Sequence, residues 1–290
     1  MIQSVAFIGL GAMGYRMAAH LPKHFDTVYV WNRNFAKAEQ HAAEYGTQAV
    51  ELAQAVQADI IFSCLPTSTE VENLIAQIQL KAGSVWVDCT SGVPESAKKL
   101  VQQLEVQQVD FLDAPVSGQT IGAENATLTV MIGGKAAAFE KALPAIQAFG
   151  KVIQHVGEAG AGFAVKAVNN MLMAVSLCAA AEGFTTLKAH GVNLNQALQC
   201  INASSGKSAV TEMILPQRVL NRTFPNTFAL PLLAKDTGIA LDLVREAALP
   251  APVLALTQSL IQAANLSAEK NSDFSTAVKM YELWSKITLE

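Results

Sequence analysis

Cysteine is scarce: four residues in 290, Cys64, Cys89, Cys178 and Cys200, with no C-x-x-C pair among them. Such wide spacing suits neither a disulfide scaffold nor a zinc site, so they read as reduced structural thiols and no metal is expected. Charge is also sparse, at 15% of residues. Twenty Lys+Arg stand against 24 Asp+Glu, a formal net charge of -4, and no basic cluster relieves the balance. Nucleic acid is therefore not an expected partner. Long apolar runs are missing too. The longest weakly charged stretch, 168–181, falls short of the roughly 20 residues a bilayer requires, and the first residues lack the positive flank and cleavage site of a signal peptide. No membrane partner and a cytoplasmic location are the expectations.

What is abundant is aliphatic. Hydrophobic residues make up 51% of the chain, enough for a core, and the length favours two domains. The first half alternates short β-branched runs with helical patterns. Strands are predicted at 5–8, 27–31, 59–64, 84–88, 109–113, 127–132 and 152–156. Helices are predicted at 12–21, 36–44, 70–79 and 94–104, the last opened by Pro94, a residue suited to a first helical turn. That order implies a parallel, doubly wound α/β sheet. After about Gly160 the strand pattern stops, and everything to Glu290 reads as helix. The predicted domains are 1–160 and 161–290. A long Ala-, Met- and Val-rich pattern over 163–189 is read as a buried helix joining them.

Directly after the first strand stands Gly9-Leu10-Gly11-Ala12-Met13-Gly14, a G-x-G-x-x-G closing a strand and opening a helix. The first glycine permits a tight turn, the second admits a pyrophosphate against backbone amides, and the third lets helix and sheet pack closely. With a second strand at the right distance, the motif implies a Rossmann-type dinucleotide site. That second strand runs into Trp31-Asn32-Arg33-Asn34, where proteins selective for NAD place an acid. None is present. Arg33 can hold a 2′-phosphate through charge-assisted bonds and Asn32 can pair with the ribose, so NADP is expected over NAD. A solvated loop arginine is the lesser alternative for Arg33.

Gly157, Gly160 and Gly162 lead into Phe163-Ala164-Val165-Lys166-Ala167-Val168-Asn169-Asn170. Asn170 lies one helical turn beyond Lys166 on the same face. An amine in apolar company loses hydration and is prepared to exchange a proton near neutral pH. A lysine that snorkels along its stem to solvent is the alternative.

Four stretches together resemble the β-hydroxyacid dehydrogenase family along essentially the whole chain. They are Ile8 to Gly14 running on to Met17-Ala18 and Leu21; Asp113-Ala114-Pro115-Val116-Ser117-Gly118; Gly157 through Gly160, Gly162, Lys166 and Asn170; and Lys235-Asp236-Thr237-Gly238-Ile239-Ala240-Leu241-Asp242. The resemblance implies a Rossmann-type domain followed by an all-α domain linked by a long helix. It implies Lys166 as general acid/base with Asn170 beside it, and a small carboxylate substrate held by Ser117, Gly118 and Ser91. It also implies that Leu65, Pro66 and Ser91 line the nicotinamide and its ribose, that Lys235 reaches the cofactor, and that the chain forms a homodimer or homotetramer. Lysine at 166 argues for alcohol and carbonyl chemistry, since relatives that reduce imines lack it. Within the family, 3-hydroxyisobutyrate is the first expected substrate, and a glyoxylate, succinic semialdehyde or tartronate semialdehyde reductase the alternative. A non-catalytic NADP sensor is the expectation of another class. One position departs from the family turn: Gln119 follows Gly118 where a second glycine is usual, which bears on the substrate pocket.

Overall fold

The computed structural model describes residues 2–290. Its first half contains β1 (Val5–Ile8), α1 (Gly14–Ala18), β2 (Val28–Trp31), α2 (Phe35–Tyr45), β3 (Gln48–Ala49), α3 (Leu52–Ala55), β4 (Ile60–Ser63), α4 (Ser68–Ile75), β5 (Val85–Asp88), α5 (Pro94–Glu105) and β6 (Asp110–Asp113). There follow β7 (Val116–Ser117), α6 (Gln119–Glu124), β8 (Leu128–Gly134), α7 (Ala136–Ile146) and β9 (Gly150–Gly157). The remainder is helical: α8 (Ala161–Ala189), α9 (Leu194–Asn202), a π-helical segment Val210–Val219, α10 (Leu230–Glu246), α11 (Pro252–Ser267) and α12 (Val278–Ser285). The chain divides into two compact units between Lys166 and Ala167, inside α8.

The sheet runs β3-β2-β1-β4-β5-β6-β8-β7, with β9 on β8. Its first six strands are parallel, and the order reverses between β1 and β4. In such sheets the ligand crevice lies outside the carboxyl ends at this reversal. The far edge departs from a wholly parallel sheet, because β8 runs antiparallel to both β6 and β7. The two-residue strands β3 and β7 are too short to carry a periodic pattern. The helix predicted at 12–21 shortens to α1 and a 3-10 turn at Leu21–Lys23 that takes in Pro22.

Parallel strands covered on both faces bury successive side chains alternately. Val5, Phe7, Ile60, Phe62, Val85 and Val87 pack into one core, while Ala6, Ile8, Ile61, Trp86 and Phe111 pack into the other. Helix α8 is 29 residues long, longer than the weakly charged stretch in the sequence. By length and composition it could cross a bilayer. Its Ala174, Leu177, Ala181 and Phe184, at helical spacing, belong instead to the core of the helical unit.

That unit is pinned by a buried ion pair. Asp273, with its side chain 0% exposed, receives Arg218 at 3.2 Å and also the N–H groups of Thr227, Phe228 and Ser275. Asp273→Ala would strand a buried guanidinium and three amides, at a cost of about 3–5 kcal/mol. Urea melts of the variant should show that loss, and an unchanged midpoint would refute the assignment.

Candidate active site

The glycine turn is shaped by contacts that no side chain could share. Gly9 has φ +94, and a Cβ there would lie 2.5 Å from the carbonyl oxygen of Cys64; one on Gly14 would lie 2.0 Å from the carbonyl oxygen of Gly9. A Cβ on Gly11 would meet nothing within 4 Å. Backbone at this position is therefore open and exposed, which fits a pyrophosphate approaching the loop between β1 and α1. Leu10 N–H donates to Asn32 Oδ1 at 3.0 Å, and Asn32 Nδ2 donates to the carbonyl of Asn34. Asn32 thus ties the turn to the end of β2, a link between loops that its predicted ribose contact did not include. Arg33 and Asn34 are exposed, Asn34 at the N-cap of α2. Ala12 and Met13 complete the loop, Met13 packing against the core beneath.

The loops after β4 and β5 are joined by a buried polar chain. Trp86 Nε1 donates to Ser63 Oγ at 2.8 Å, and Ser63 Oγ donates to Asp88 Oδ1 at 2.9 Å. Thr90 N–H also donates to Asp88 Oδ1, and Leu65 N–H donates to Thr90 Oγ1. Leu65 and Ser91 are thereby fixed half-buried at neighbouring strand ends, with Pro66 exposed beside them. Asp88 Oδ2 is buried with no hydrogen-bond partner among the described residues. Burial pushes the Asp88 carboxyl up to about 6, against the hydrogen bonds from Thr90 and Ser63. The Cys64 thiol is pushed up to about 12 by burial and by the nearby Asp88 charge, so it is a poor nucleophile.

Ser117 ends β7 half-buried, and Gly118 follows, exposed, at φ +137. Gln119 begins α6 at φ +59, in the left-handed region that costs a side chain roughly 1–2 kcal/mol. A glycine would adopt this conformation freely, so Gln119 occupies it at the cost of local strain.

Lys166 is half-buried on α8, and Asn170 one turn later is 4% exposed. Asn170 Nδ2 donates to Asp236 Oδ2 at 2.6 Å, and Asn169 Nδ2 donates to Asn170 Oδ1. Asp236, on α10 and 2% exposed, also lies 3.4 Å from Lys235 Nζ. Asp236 was not among the expected site residues. Its trace in the sequence is its place in the stretch 235–242, since periodicity cannot report which buried acid meets which amide.

The perturbed Asp88 gives a pH test of this site. A carboxyl raised from 3.8 to about 6 favours the fold fully below pH 3.8, and that contribution is lost as pH rises through 6. The penalty at pH 7.5 is about 3 kcal/mol. Asp88→Asn should therefore gain stability relative to the parent between pH 4 and 7.5 in urea melts. An equal difference at both pH values would dismiss a strained Asp88.

The family model for the NAD binding domain of 6-phosphogluconate dehydrogenase matches residues 4–157. The model for the NAD-binding domain of NADP-dependent 3-hydroxyisobutyrate dehydrogenase matches 160–281. A 2-(hydroxymethyl)glutarate dehydrogenase of Eubacterium barkeri is 36% identical over 98% of this chain and 97% of its own. An NAD-dependent L-serine dehydrogenase of Pseudomonas aeruginosa is 32% identical over 97% and 98%. Among solved structures, a Mycobacterium tuberculosis 3-hydroxyisobutyrate dehydrogenase with L-serine superposes with TM-score 0.89 at 28% identity, covering 97% of this chain and 99% of that one. The chain belongs to the β-hydroxyacid dehydrogenase family, NAD(P)-dependent oxidoreductases that act on the CH–OH group of hydroxy acids.

Proposed function

We propose that the enzyme is an NADP-dependent dehydrogenase of 3-hydroxy acids carrying a substituent at C2, with 3-hydroxyisobutyrate as its first substrate. The chemistry of its relatives' substrates supports this class. 3-Hydroxyisobutyrate, L-serine and 2-(hydroxymethyl)glutarate all contain HO–CH2–CH(R)–COO⁻, and 2-hydroxy-3-oxopropionate is the aldehyde of such a unit. They differ only in R. A site for the class must therefore hold one carboxylate and one primary alcohol at a fixed spacing.

In this reading the substrate carboxylate receives the Ser117 hydroxyl and the backbone N–H at Gly118, with Ser91 alongside, a neutral way to bind an anion. Neutral Lys166 Nζ accepts the hydroxyl proton, and Asn170, held from behind by Asp236, orients the oxygen. A bound NADP would supply the hydride acceptor for oxidation of the alcohol to the aldehyde, and NADPH the donor for the reverse. The observation that carries the proposal is Lys166 one turn before Asn170 on α8, with Asn170 hydrogen-bonded to Asp236 of α10. Gln119 supports a second reading, in which R is polar, as in L-serine or the 2-hydroxy-3-oxopropionate pair. Its amide could bond such a group where glycine could not.

Lys166→Ala should lower kcat by roughly 10²–10⁴-fold with NADPH affinity retained, across a panel of 3-hydroxyisobutyrate, L-serine, glycerate and 2-(hydroxymethyl)glutarate followed at the nicotinamide absorbance. Undiminished turnover would sink the acid/base role. The exposed Arg33 and the missing acid after β2 favour NADP. Arg33→Ala should raise KM for NADPH by about 10–100-fold, the equivalent of a lost charged hydrogen bond, while KM for NADH hardly moves. Equal changes for both cofactors would leave Arg33 without a role in the choice.

A further inference from the structure

The second buried acid at the carboxyl end of the sheet, after Asp88, takes no part in the chemistry above. Asp113 closes β6 beside Asp88, its partner in register, and is 0% exposed. Its Oδ1 accepts the N–H of Gly160 at 2.7 Å, and its Oδ2 accepts the N–H of Phe163 at 2.8 Å. These donors sit at the start of α8, where the first N–H groups of a helix have no partner within it and the peptide dipoles favour negative charge. Burial pushes the Asp113 carboxyl up, and the same two N–H groups oppose that rise.

The glycines around it clear the space. A Cβ on Gly133 would lie 2.5 Å from Asp113 Oδ1, and one on Gly162 would lie 2.9 Å from Asp113 Oδ2 and 2.4 Å from the carbonyl oxygen of Met131. Gly160, at φ +94, would press a Cβ to 2.9 Å from the carbonyl oxygen of Pro94. Gly133 and Gly162 are thus kept bare beside the carboxylate, and Gly160 where the chain passes Pro94. Lys166 lies three residues beyond Phe163 on that helix. In the other direction, Asp113 runs through Ala114 and Pro115 into Ser117 and Gly118.

We infer that Asp113 is a positioning residue: its carboxylate fixes the first turn of α8, and with it Lys166, to the end of β6, from which the chain runs on through β7 to the Ser117-Gly118 turn. The inference rests on Lys166 being the acid/base. Loss of the clamp lets the amine drift from the alcohol, and a displacement of about 1 Å is enough to cost on the order of 10²-fold in rate.

A double-mutant cycle tests it, using 3-hydroxyisobutyrate and L-serine as probes with saturating NADP. Asp113→Asn keeps the volume but turns one acceptor into a donor facing an N–H. It should lower kcat by about 10²-fold while NADPH still binds with the parental dissociation constant. In the Lys166→Ala background the same change should cost nothing further, because a residue acting only through Lys166 has nothing left to position. Multiplicative losses, or parental kcat in Asp113→Asn, overturn the assignment. A Lys166→Ala enzyme with full turnover fails earlier, at the acid/base reading itself. Asp113→Ser, which keeps an acceptor without the buried charge, repeats the cycle should the Asn variant not fold. If neither variant melts cooperatively, Asp113 serves stability alone and the inference falls.

Discussion

Three adjacent parallel strands end in buried polar side chains that lie side by side in register: Ser63, Asp88 and Asp113. The loops that follow these strands carry the candidate nicotinamide and substrate contacts, and their conformations depend on this row. Ser63 and Asp88 hold Thr90, and through it the backbone of Leu65. Asp113 holds Gly160 and Phe163. Carboxylates so deeply buried are costly unless hydrogen-bonded, and these accept bonds chiefly from backbone and hydroxyl groups rather than from a counter-ion. They therefore fix backbone geometry through neutral donors.

The same economy shapes the glycines. Gly9 and Gly14 let β1, α1 and the loop after β4 approach within distances that no side chain permits, and Gly11 leaves space that faces outward. Gly133, Gly160 and Gly162 perform a similar service around Asp113. Close backbone approach thus recurs at the glycine turn after β1 and at the start of the helix bearing Lys166. A family pattern of spaced glycines before a lysine acquires here a steric cause.

Much of the fold was legible because its periods are strong. The seven strands longer than two residues lie where β-branched runs predict them, and α8 where a long Ala-, Met- and Val-rich pattern predicts a helix. The reversal of β8 was not legible, since an apolar run carries no sign of direction. Neither were β3 and β7, too short to show alternation. Of the candidate site, Gly9, Gly11, Gly14, Lys166 and Asn170 could be named from spacing, whereas Asp236 could not. It meets Asn170 across 66 residues of chain, a contact only packing creates.

The sequence by itself determined the order of strands and helices, the turn built for a dinucleotide and the absence of an acid after β2, because each follows from local pattern and side-chain chemistry. Tertiary structure alone decided which buried acids face which amides. It also decided that Asn32 braces the glycine turn, and that Gln119 sits in a left-handed conformation. Hydrogen bonds between residues distant in sequence select among many chemically equivalent partners, and that selection is made only when the strands align and the cores close around them.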